Sequence, residues 1–283
     1  MNISRVVTLS LALAVAVFAL GSINPSFAHK TDKKHNHGGS GDDSTLPVGS
    51  CADDEELPCI VSVGKSLRPA AAAYAGIYTV MSSQRFGEIL GTSTAAADLC
   101  AAFDVVIVEW SNPKIKNLTW PRFKEYMACG GGIIFEDPRN VEALASGVSI
   151  LEINFKSRDD QPILITLVDV PVLTLGPPVI DIPPDCSTGS CNITVVNEHM
   201  KFNADGHDIN LMPFLTLADG TGRVVGLYGT HVAGGIVLTG PDNSFHGNLI
   251  PIPSALPADN LARANMHKLL HNEITWLLSL QLP

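Results

Sequence analysis

The sequence predicts an α/β fold: a flavodoxin-like parallel sheet with helices on both faces and a β-rich insertion. Three observations carry this prediction. Short β-branched runs alternate with helical segments between about 60 and 136. One of those runs, DVVIV (104–108), is apolar after its aspartate, as a strand buried on both faces must be. Near the end, Leu261, Met266, Leu269, Leu270, Ile274, Leu277 and Leu278 form one helical stripe over 260–280.

The chain opens with a single positive charge, Arg5, and an apolar run over 6–20. Ser26-Phe27-Ala28 then supplies a small-x-small cleavage site, so 1–28 reads as a secretory signal. The apolar run is shorter than the roughly 20 residues a membrane span needs. No later stretch is long and apolar enough, so the mature chain, 29–283, is expected to be secreted or periplasmic with no transmembrane segment. Residues 29–50, HKTDKKHNHGGSGDDSTLPVGS, have no apolar period and read as a disordered tail. Its His29, His35 and His37 admit a metal-handling role, against which stands the entropy of ordering a floppy site.

The remaining residues, 51–283, read as one domain. CADDEELPC (51–59) places Asp53, Asp54, Glu55 and Glu56 between two cysteines. Calcium favours such oxygen ligands, but the spacing of an EF-hand is missing, and an exposed acidic loop is the simpler reading. A first strand is predicted over 60–63. The alanine-rich stretch 67–82 predicts a helix, and 86–90 a second strand. A helix follows over 94–101 with Ser93 or Thr94 as cap. Thr119 and Pro121 suit the start of a helix over 120–129. Gly130 to Gly132 end it, and 133–135 is the next strand. From about 147 to 217 β-branched residues and prolines dominate, as in PVLTLGPPVIDIPPD (171–185), so we read a β-rich insertion. GRVVGLY (222–228) returns to a core strand.

The six cysteines, Cys51, Cys59, Cys100, Cys129, Cys186 and Cys191, all follow the signal, where an even count suggests bridges. Cys51–Cys59 and Cys186–Cys191 are the economical local pairs. Cys100 and Cys129 fall at helix ends feeding neighbouring strands and can meet. A formal net charge of −10 excludes nucleic acid as a partner, because phosphates demand lysine and arginine. No nucleotide loop is present, since VGKS (63–66) lacks the preceding glycine, and no GxSxG elbow occurs. Asn117 and Asn192 open glycosylation sequons.

FDVVIVEW (103–110), CGGGIIFEDP (129–138), GRVVGLYG (222–229) and HKLLHNEITWLL (267–278) together resemble the class I glutamine amidotransferase-like superfamily, in its trehalose-utilisation-type branch. The resemblance covers roughly 60–140 and 215–280. It implies a strand leading to a site and a nucleophilic cysteine on the turn after it, activated by a late histidine. Here the place after strand 133–135 holds Glu136, Asp137 and Pro138, and Cys129 lies before the strand. Thiol chemistry is therefore not expected.

Glu136 and Asp137, at a strand's carboxyl end, have the chemistry of a base, a nucleophile or a metal ligand. The alternative is that Asp137-Pro138 starts a turn, with the carboxylate capping backbone amides. His246, in SFHGN (244–248), stands where the resemblance puts the family's histidine. His231, in GTHVAGG (229–235), follows a core strand and is the candidate metal residue, although zinc needs three or four converging ligands. His267 and His271, one turn apart, suit a metal pair or the solvated side of the last helix. The leading expectation is a non-catalytic binding or interaction module for a carbohydrate or protein, its ligand near Glu136, Asp137, His231 and His246. The rival is a hydrolase using Glu136 or Asp137 with His246, assisted by a divalent metal.

Overall fold

The computed structural model describes residues 58–63, 77–108, 119–136, 149–155, 163–167, 191–196, 198–203, 206–241, 243–247, 253 and 255–281. The predicted signal, the histidine-bearing tail, the acidic loop and Asp137 lie outside the described residues.

The first half runs β1 (Cys59–Val63), β2 (Ile77–Met81), α1 (Ser83–Leu90), α2 (Ala95–Ala102), β3 (Val105–Val108), α3 (Trp120–Ala128) and β4 (Gly132–Glu136). The insertion contributes β5 (Ser149–Phe155), β6 (Ile163–Leu167), β7 (Cys191–Val195), β8 (Glu198–Asn203) and β9 (Met212–Leu217). The chain closes with β10 (Val224–His231), β11 (Gly234–Thr239), α4 (Asn243–His246) and α5 (Pro257–Ser279). Nine strands form one sheet in the order β2-β1-β3-β4-β11-β10-β9-β6-β7. The first five are parallel, in the flavodoxin-like arrangement. The other four extend the sheet antiparallel, and β5 pairs β8 in a separate two-stranded sheet.

Two predicted elements differ in type from the sequence reading, and β11, beside β4 in the sheet, lies where that reading places no strand. Residues 83–90 are helical, not a strand. The Ser82 hydroxyl accepts from the Arg85 amide at 3.2 Å, and Phe86, Ile89 and Leu90 are buried at helical spacing. Residues 77–81 are a strand, not the end of a helix, because Ile77-Tyr-Thr-Val80 is β-branched and aromatic and pairs in register with β1.

Helices cover both faces. Alternation along β4 sends Ile133 and Phe135 toward α1, α2 and α3, and Ile134 toward α5. On the α5 side Tyr228 meets Trp276 edge-on at 5.4 Å between ring centroids. On the other side Phe123 meets Phe135 at 5.0 Å.

The glycine cluster after α3 does three separate jobs. Gly130, at φ +104°, terminates the helix: its N–H donates to the Met127 carbonyl, and the Gly131 N–H to that of Tyr126, each at 3.0 Å. A Cβ on Gly131 would collide with the Tyr126 ring, and one on Gly132 would lie 2.9 Å from Leu277 of α5. Cys100 and Cys129 form a disulfide joining α2 to the end of α3, with Cα atoms 6.4 Å apart. Cys59 is also disulfide-bonded. Among the described residues no helix is long and apolar enough to cross a membrane.

Candidate functional site

The carboxyl end of the parallel strands is where the crossover loops leave room for a ligand. β4 ends there in Glu136, whose register partner on β11 is Thr239. Both are fully buried, at 0% exposure. By alternation Glu136 follows Ile134 onto the α5 face. The chain leaves β11 through the buried Gly240 and Pro241 and enters the single turn of α4, which begins with Asn243 and ends with His246.

A hydrogen-bonded chain links these elements. Thr239 Oγ1 donates to the Pro241 carbonyl at 3.1 Å. Asn243 Nδ2 donates to Thr239 Oγ1 at 3.4 Å and to Oε1 of Glu273, on α5, at 3.2 Å. Asn243 and Glu273 are both fully buried. Burial pushes the Glu273 carboxyl up to about 8, against the opposing pull of the Asn243 bond. The group is therefore mostly a neutral acid at pH 7. Its Oε2, and Oδ1 of Asn243, have no protein hydrogen-bond partner among the described residues. The His246 carbonyl accepts from Arg263 Nη1 at 3.2 Å, which ties the end of α4 to α5 a second time.

Glu136 and His246 thus come to the same end of the sheet, on β4 and on the turn after β11. Asp137 lies outside the described residues. His231 does not join them. β10 runs antiparallel to β11, and His231 pairs with Gly234, the first residue of β11. It therefore stands at the amino end of the parallel strands, about 17 Å from Thr239 at ~3.3 Å per residue. The expectation of a shared site fails because strand direction, invisible in GRVVGLYG, decides which end a strand's last residue occupies. The glycine cluster of α3 lies at that same amino end, since Gly235 pairs with Gly132.

His267 is not on a solvated face, and His271 is half-buried. His267 is buried, and burial, with His271 nearby, pushes it down to about 4. Burial lowers His271 as well. Among the described residues no three His, Cys, Asp or Glu side chains converge as a metal ion would need.

Sequence reasoning missed Thr239, Asn243 and Glu273. Glu273 carried a usable signal, because a carboxylate between Leu270, Ile274 and Leu277 stands on the buried stripe. A second missed cluster joins the insertion to α3. Trp120 Nε1 donates to Asp208 Oδ1 at 2.8 Å and Lys124 Nζ to Oδ2 at 2.7 Å. His207 packs edge-on against Trp120 at 4.8 Å between centroids. Burial opposes ionisation of Asp208, but the bonds from Lys124 and Trp120 win and hold its carboxyl below the usual range.

No family model matches the chain, and no curated protein matches it. Solved structures resemble it only distantly. An exo-β-1,4-mannosidase from Opitutaceae bacterium strain TAV5 is 11% identical with a TM-score of 0.38, over 68% of this chain and 32% of its own. The chain thus spans about a third of that enzyme's length. A cytoplasmic protein from Salmonella typhimurium is 11% identical with a TM-score of 0.44, over 77% and 98%. The N-terminal domain of mmIFT52 is 8% identical with a TM-score of 0.45, over 76% and 97%. Likenesses this weak carry no activity to this chain.

Proposed function

We propose that the chain is an exported binding or interaction protein on an amidotransferase-like scaffold, taking a carbohydrate or protein ligand at the carboxyl end of its parallel strands. One observation carries the reading: the described carboxyl groups at that end, Glu136 and Glu273, are sealed at 0% exposure. A general base or nucleophile must touch its substrate. A carboxyl fully closed off from solvent serves the packing of the site and not turnover. The described Cys59, Cys100 and Cys129 are all bridged, which leaves none of them as a thiolate. The resemblance supplies the scaffold, and the Glu-Asp-Pro that replaces its nucleophile turn supports loss of the reaction.

The rival hydrolase, using Glu136 or Asp137 with His246, draws on one observation. Glu136, α4 and an acid as perturbed as Glu273 share one strand end, and perturbed acids cluster at reaction centres. A thermal-shift panel of sugars, short peptides and divalent metals separates the two readings. A ligand at about 100 times its Kd adds roughly 2.7 kcal/mol to the native state. The expected result is a shift with a sugar or peptide that shrinks in His246→Ala, with no turnover of that ligand. Turnover that disappears in His246→Ala would replace the binding reading with the hydrolase.

A further inference from the structure

We infer that Glu273 is a proton-operated latch: as a neutral acid it seats α4 on α5 over the strand end, and on losing its proton it releases α4. The inference rests on the binding reading, because α4 is bonded through Asn243 to Thr239 at the same strand end.

The geometry makes the seat depend on charge. Asn243 of α4 and Glu273 of α5 are each fully buried and joined by one side-chain bond of 3.2 Å. The backbones are in close contact beside it: a Cβ on Gly247 would lie 2.5 Å from the Asn243 carbonyl and 3.0 Å from the His267 nitrogen. A neutral carboxylic acid accepts the Asn243 bond through Oε1 and leaves no charge to be solvated at Oε2. A carboxylate only accepts, and its second oxygen has no described protein donor. An anion sealed there is costly, so ionisation favours the state in which water reaches it.

The neighbouring elements do little to offset that charge. β11 presents the Thr239 hydroxyl, and α4 presents the Asn243 amide and carries His246. β4 carries Glu136, a second acid. On α5, His267 is held neutral above about pH 4. His271 is likewise lowered, while Arg263 reaches the His246 carbonyl, and Lys268 is the remaining cation of that stretch. Among the described residues, Asn243 donates to Glu273.

The test is hydrogen exchange of the intact protein, reading the amides of 243–247 and correcting for base catalysis. If the open state lets Glu273 titrate near its ordinary 4.5, the opening constant rises about tenfold per pH unit and levels above about 8. Glu273→Gln, isosteric and neutral, is expected to hold the opening constant flat at its low-pH value. A flat wild-type profile overturns the latch without reliance on any variant. A rise that survives in Glu273→Gln overturns it too, because another group then titrates. Repeating the sugar and peptide panel at pH 6 and 9 separates the two ideas. The expected profile with no ligand at either pH would sink the binding reading and leave the latch. Equal binding at both pH values with a flat profile would do the reverse.

Discussion

Gly131 carries no side chain because the ring of Tyr126 occupies the space one would need. That ring is fully buried, and its hydroxyl donates to the Phe103 carbonyl at 2.9 Å, so it cannot step aside cheaply. Gly131→Ala is expected to cost about 1–3 kcal/mol through overpacking. It should be read as a lower urea midpoint with an unchanged slope. A variant as stable as the wild type would show that the glycine is there for another reason. The glycine pattern was legible in the sequence, and its purpose was not. Three consecutive glycines before an apolar strand suit a ligand loop as well as a packing site. Only the position of Tyr126 and Leu277 assigns them to packing. Glu273 teaches the converse. Its place on the apolar stripe was readable, but its consequence required knowing that Asn243, thirty residues away, would be its bonding partner.

At the scale of elements, one acid with two donors ties the insertion to α3, beside the strand pairing that builds it into the sheet. Asp208 accepts from Trp120 and Lys124 of α3, while Phe202 and Ile209 add apolar contact beneath. Removing the carboxylate leaves the indole N–H of a buried tryptophan unmatched. Asp208→Ala is expected to cost about 1–3 kcal/mol for that orphaned donor. It should also raise amide exchange over 206–211 while α1 and α2 keep their protection. Asp208→Asn keeps an acceptor for the indole and loses only a partly exposed ion pair, so its cost should stay under about 1 kcal/mol. Equal stability for both variants and the wild type would remove the clamp. Elements close in sequence were mostly readable: β3, α3, β4 and α5 fall near their predicted places. The misread pair, β2 and α1, sits where an alanine-rich stretch hides the switch from one period to the other. The clamp was not readable, because nothing in NADGHD names its partner 84 to 88 residues earlier.

At the scale of the whole molecule, the buried titratable groups oppose one another across pH. Glu273 keeps its proton in the fold to about pH 8, whereas an unfolded glutamate loses it near 4.5. Deprotonation therefore favours the unfolded chain, and stability falls as pH rises between those values. His267 takes a proton in the fold only near pH 4, whereas an unfolded histidine takes it near 6.5. Stability from that source is present above 6.5 and lost as pH falls toward 4. Burial lowers His207 and His271 in the same sense. The histidines together outweigh Glu273 below 6.5, and above it Glu273 acts alone. Urea unfolding across pH 4–9 is expected to show a maximum near pH 6.5. Above it, stability should fall by about 1.4 kcal/mol per pH unit toward pH 8. Glu273→Gln should abolish the alkaline fall and leave the acid limb. A fall that persists in that variant would show that the titrating group lies elsewhere.

The sequence by itself determined the α/β class and the β-rich insertion, and it allowed Cys100 to meet Cys129. Those follow from periodicity, composition and local chain geometry, which act over a few residues and so leave a trace in order and spacing. Through the resemblance it also offered Glu136 and His246 as candidates for one site. Only the tertiary structure decided that β10 runs antiparallel, which sends His231 to the other end. Only it decided that Glu136 is sealed, and that Asn243 and Glu273 share one buried bond. The physical reason is that strand direction, burial and the pairing of distant polar groups are properties of packed elements. They arise when the sheet and α5 close on one another, and no local pattern encodes which side chains will then be neighbours.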